Sequence, residues 1–79
     1  MRPPEAVGAV IHVRSLEEAL SAYAHERVAG RPNPTFTVDQ AVFESFAPYA
    51  NRSYTVHAQT PKGEQVVLRG CLLHFAPLQ

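Results

Sequence analysis

SYTVHAQT (Ser53–Thr60), PKG (Pro61–Gly63) and EQVVLRGCLLHFA (Glu64–Ala76) make up the stretch whose reading decides the fold. The first part alternates. Tyr54, Val56 and Ala58 fall on one side and Thr55, His57 and Gln59 on the other, the period-two pattern of a half-buried strand. Thr60-Pro61-Lys62-Gly63 reads as a tight turn: proline presets φ at its second position, and glycine at its fourth lets the chain re-enter a ladder. Beyond the turn, Val66, Val67 and Leu68, then Cys71, Leu72 and Leu73, are apolar on both faces. That predicts an interior strand covered on both sides, running from Gln65 to Phe75. Gly70 interrupts it and predicts a bulge, which exchanges the faces addressed by Leu72 and His74.

Upstream, Asn51-Arg52-Ser53 loops into this hairpin, and before it lies an apolar stripe at helical spacing. Val38, Val42, Phe46 and Tyr49, widened by Phe43 and Ala47, predict a helix from Val38 to about Ala47, with Thr37 as its cap and Gln40 as a weak capping-box partner. Pro48 should end or kink it at Ala47. A competing reading makes Thr35-Phe36-Thr37-Val38 a short strand and starts the helix near Asp39. Arg31-Pro32-Asn33-Pro34 is a rigid connector, because two prolines so close exclude regular helix and central strand alike.

Further back, Ser15-Leu16-Glu17-Glu18 fits a capping box, and its two glutamates suit the positive end of a helix. Leu16, Ala19, Leu20, Tyr23 and Val28 recur at helical spacing, with Gly30 as the stop. A first strand falls in Ala6 to Arg14, where Ala9, Ile11 and Val13 share one face and Val10, His12 and Arg14 the other. Gly8 there permits a bulge or a close backbone approach. Residues 1–5, with two prolines, read as a loose tail.

The expected fold class is α+β in a single domain over residues 1–79, with element order β-α-α-β-β. Both helices pack on one face of a three-stranded sheet, the economical way to bury their stripes. Parity makes strand one parallel to strand three, and a central strand three gives the spatial order 2-3-1.

Seven basic and seven acidic residues leave no net charge. That argues against a general nucleic-acid binder, which needs surplus Lys and Arg, and it removes the self-repulsion that keeps copies apart. The single cysteine, Cys71, excludes an internal disulfide and a multi-cysteine zinc site. No apolar run approaches the roughly 20 residues of a membrane span, and Met1-Arg2-Pro3-Pro4 opens no secretory signal. A cytoplasmic protein is expected. Asn51-Arg52-Ser53, formally a glycosylation acceptor, is then a chance tripeptide.

No catalytic or metal centre is expected, and no cofactor. His12, His25, His57 and His74 fall on one helix and three strands, with no pair at a metal-binding helix spacing. Cys71 and His74, three apart, point to opposite faces of a regular strand, so Cys71 reads as a small buried hydrophobe. The acidic residues are scattered or lie on exposed helix faces, the glycines form no phosphate loop, and no nucleophile elbow occurs.

What remains is surface. Two helices cover one face of a sheet, so Val67, Cys71, Leu73 and Phe75, or else Val66, Leu68 and Leu72, are left to line the other. Such a patch marks a protein contact. For self-association the residues are Val67, Leu73 and Phe75; for a foreign partner they are Arg52, Tyr54, His57 and Arg69 on the hairpin. The alternative is a small nucleic-acid-binding accessory protein using the Arg52/Lys62/Arg69 stripe beside Tyr54.

A strand leading directly into Ser-Leu-Glu-Glu-Ala-Leu (Ser15–Leu20), followed later by a tight hairpin, resembles the build of several small phage-encoded inhibitors, including some anti-CRISPR proteins. The resemblance covers those six residues and the element order. It implies a non-enzymatic, stoichiometric inhibitor that occupies a surface of a larger host complex. Many such inhibitors are strongly charged; this chain is neutral.

Overall fold

A computed structural model describes residues 8–78. The proposed tail of residues 1–5, and Ala6 and Val7 of the first strand, lie outside the described residues. The chain runs β1 (Val10–His12), α1 (Leu16–Val28), β2 (Thr35–Val38), a 3-10 turn (Gln40–Val42), α2 (Phe43–Ala50), β3 (Tyr54–Gln59), β4 (Gln65–Cys71) and β5 (His74–Pro77).

The fold is α+β, but its strands form two sheets where one was expected. β1, β2 and β5 make an all-parallel sheet with β2 in the middle, while β3 and β4 make a separate antiparallel hairpin. The single sheet of order 2-3-1 is therefore corrected. So is the interior strand from Gln65 to Phe75: that run changes partner after Cys71, from β3 to β2, and each half lies at the margin of its sheet.

The central strand is the competing reading of Thr35–Val38. Two β-branched threonines, Phe36 and Val38 suit a pleated surface. Phe36 and Val38 are fully buried. The second helix consequently starts at Phe43, not Val38, and runs through Pro48 to Ala50. With that start, the proline forfeits only the hydrogen bond to the carbonyl of Glu44, an exposed first-turn residue that water can serve.

The first helix begins as its residues predict. Glu18 donates its backbone N–H to Ser15 Oγ at 3.1 Å, and its carboxylate accepts from the Arg14 N–H at 2.9 Å, one residue further back than the usual box. Gly8 is the close approach: a Cβ there would collide with the carbonyl of Asn33. The contact brings the start of β1 beside the connector, and Thr35 N–H donates to Ala9 O at 2.9 Å.

Register gives the parallel sheet its two faces. Ile11, Phe36 and Phe75 are aligned on one, where Ala19 and Tyr23 of α1 and Phe46 of α2 complete the core. Phe75 sits 5.9 Å from Phe36 and 5.3 Å from Phe46 between ring centroids. Val10, Thr35 and His74 are aligned on the other, with His12, Thr37 and Ala76 one step along. On that face Val10 is 69% exposed among the described residues.

Candidate interaction surface

The hairpin turn is held by four hydrogen bonds. Gly63 N–H donates to Thr60 O (2.8 Å), Thr60 N–H to Glu64 O (2.9 Å), Glu64 N–H to Thr60 Oγ1 (3.1 Å) and Gln59 Nε2 to Gly63 O (3.1 Å). The bulge falls where Gly70 places it. Tyr54 lies opposite Cys71 and Val56 opposite Leu68, so two steps on β3 span three on β4, and Gly70 takes a φ of 67°.

The extra residue reverses the inward parity of the strand. Val66 and Leu68 face the core before it, Cys71 and Leu73 after it, leaving Val67 and Leu72 at the surface. This puts Thr55, His57 and Gln59 of β3 beside Gln65, Val67 and Arg69 of β4 on one exposed face, with His57 directly opposite Val67.

Of the four residues expected to bind a partner, His57 and Arg69 share this outer face and Arg52 is exposed in the loop before it. Tyr54 is turned the other way: its ring packs on the core, and its hydroxyl is buried with no hydrogen-bond partner among the described residues. Of the three expected to self-associate, only Val67 offers its side chain to solvent. Leu73 is 2% exposed, and Phe75 is half-buried between Phe36 and Phe46.

Two grooves flank α1. One, of about 460 Å³, runs between α1 and β3 and brings His25 and His57 to the same walls, with Leu20, Val28 and Val56. The other, of about 550 Å³, lies between α1 and Ile11 and carries Glu17, Glu18 and Glu26 along with His25. Ser21 and His25, one helical turn apart, line both grooves, but no hydrogen bond joins them, and no group of three or more potential metal ligands occurs among the described residues.

Three features lay beyond the reach of sequence. His25 and His57 line one groove only because the helix packs on the hairpin. His12 Nε2 and Asp39 Oδ1 approach to 3.8 Å at the carboxyl ends of β1 and β2, an exposed contact that is an ion pair only with the imidazole protonated. Glu26, expected on an exposed face, is buried at 4% and held by Arg31 Nη1 at 2.8 Å. An acidic residue before Arg31-Pro32 was the one available hint.

Cys71 is a buried free thiol whose Sγ lies 3.5 Å from the Leu68 carbonyl, while His74 is exposed, so the two form no pair. The thiol lies against Tyr23. Burial, and then the proximity of Cys71, push the Tyr23 phenol pKa above its ordinary value of 10.0. Among the described residues no helix is long and apolar enough to cross a membrane. Set against family models, curated proteins and solved structures, the chain matches none.

Proposed function

We propose that this chain is a non-enzymatic protein-interaction module that presents the outer face of the β3–β4 hairpin to a partner protein. The observation that carries the reading is the hairpin itself, in which a pinned turn and a bulge hold Thr55, His57, Gln59, Gln65, Val67 and Arg69 exposed on one face. A preorganised strand pair loses little entropy on binding. Its middle sets His57 against Val67, with Arg69 at the end, so an aromatic ring and an aliphatic side chain lie at the centre and the full charge at the margin. The mode of action that goes with the likeness to small phage-encoded inhibitors is occupation of a surface on a larger complex, without catalysis, and it is the mode we propose.

The second reading, nucleic-acid binding, is favoured by the exposure of Arg52, Lys62 and Arg69 along the same hairpin. A double variant, His57→Glu with Arg69→Glu, tests the first reading, since both side chains are exposed and the fold should survive by circular dichroism. The partner captured from a lysate of the source organism by the wild-type chain should be lost with the variant. Retained capture would place the contact elsewhere. Binding to single- and double-stranded oligonucleotides that weakens steeply with salt would favour the second reading instead.

A further inference from the structure

Among the described residues β4 has one strand partner, so its second edge carries no ladder. The turn determines which backbone groups lie on that edge. Thr60 and Glu64 are a hydrogen-bonded pair, because the Thr60 N–H donates to the Glu64 carbonyl. Bonded and non-bonded pairs alternate along an antiparallel ladder. Ala58–Val66 and Val56–Leu68 are then bonded pairs, and Gln59–Gln65 and His57–Val67 are not. The N–H and C=O groups of Val66 and Leu68 therefore turn toward β3. Those of Gln65 and Val67, and of Arg69 as far as the bulge, turn outward.

We propose that this edge pairs with its own copy: β4 lies antiparallel to β4 of a second chain, about a two-fold axis through Val67. In that register Val67 faces Val67 of the partner subunit, Gln65 faces the partner subunit's Arg69, and Val66 faces the partner subunit's Leu68. Every outward backbone group of the five residues finds its complement, giving about six hydrogen bonds, two for each bonded pair. Sliding the register by two residues in either direction drives one end into the Pro61–Gly63 turn or the Gly70 bulge, and a bonded pair is lost.

Side chains agree with the same register. The axis covers a valine that is 46% exposed in the single chain. The half-buried Val66 and Leu68 meet on the inner face, and each Arg69 meets an amide and not a second cation. A chain with no net charge opposes the approach of its copy weakly. The product is a four-stranded sheet with β3 at both margins. Five residues a side cover far less than the roughly 800 Å² per partner of a stable complex, so the dimer is weak and concentration-dependent. None of this depends on what the outer face of the hairpin binds.

Sedimentation of the wild-type chain up to about 1 mM should show a monomer–dimer equilibrium. A monomer throughout would overturn the proposal. Val67→Pro removes an N–H that the β3–β4 ladder does not use, so it should abolish the dimer and keep the hairpin, with cross-strand contacts by NMR reporting the fold. A dimer that survives Val67→Pro in a folded chain would also overturn it.

Two exposed substitutions test the register without stressing the fold. Gln65→Glu sets a carboxylate against each Arg69 and should lower Kd by about two- to thirty-fold, the effect of two cross-strand charge pairs. Gln65→Arg should raise Kd by a similar factor, and both effects should shrink at high salt. Unchanged Kd in both variants would reject the register.

Discussion

The hairpin and the parallel sheet are built on opposite principles. In the hairpin every determinant lies within a few residues of the group it controls: Thr60 holds Gly63 and Glu64, and Gly70 sets the bulge beside its own strand. In the parallel sheet every pairing spans at least one whole helix. Val10 pairs with Thr35 across α1, and Thr35 with His74 across α2 and the whole hairpin. The hairpin closes one short loop, whereas the parallel sheet needs both long loops to close. Leu73 stands where the chain leaves one and enters the other, and it is buried in the core they share.

That position makes Leu73→Asp the largest expected effect. A carboxylate in the core costs about 4 kcal/mol or more, comparable to the whole stability of a domain this small. Both sheets should melt together, and circular dichroism should show a largely unfolded chain.

Next come two glycine substitutions that should separate the regions. Gly8→Ala forces the start of β1 off the Asn33 carbonyl and should cost about 1–3 kcal/mol, with hydrogen exchange accelerated in β1 and β2. Gly70→Ala strains a positive φ for about 1–2 kcal/mol, with the loss of protection centred on β3 and β4. Equal loss in both regions from either variant would mean that they unfold as one unit.

Tyr23 couples the regions through pH. Its phenol on α1 lies against Cys71 at the end of β4, and its folded pKa is raised above 10.0 by burial first and Cys71 second. A raised folded pKa contributes stability that is fully present below the unfolded value and is lost as pH climbs through the folded one. Urea midpoints should therefore fall above about pH 10 in the wild-type chain, and fall less in Tyr23→Phe.

The smallest effect is at Tyr54. Its hydroxyl is buried without a partner among the described residues, so Tyr54→Phe removes an unsatisfied group. The change should be neutral or stabilising by up to about 1 kcal/mol in thermal or urea unfolding. A clear loss of stability would mean that the hydroxyl has a partner in solution.

The same division separates what could be read from the chain and what could not. The turn, the Ser15 cap, the Gly8 approach and the Gly70 bulge all follow from residue types at short range, and the structure contains each of them. The outer face of the hairpin was half legible. Alternation separates Tyr54 from His57, but it does not say which side meets the core, and only the fold turns Tyr54 inward. For Leu73 and Phe75 the sequence misleads, because an apolar run on two faces reads as one strand with an uncovered side. The run crosses from one sheet to another: Leu73 is buried at the crossing, and Phe75 packs half-buried against the core from β5.

Residue order alone settled the conformations whose causes are local: a φ that only glycine adopts readily, a hydroxyl reaching an N–H three residues on, a ring that fixes proline. Only the folded chain decided that Thr35–Val38 becomes the central strand, that His74–Pro77 leaves the hairpin to join it, and that Glu26 is drawn inside against Arg31. A strand is completed by hydrogen bonds to a partner, and a short β-branched segment carries no mark of which distant segment that partner will be.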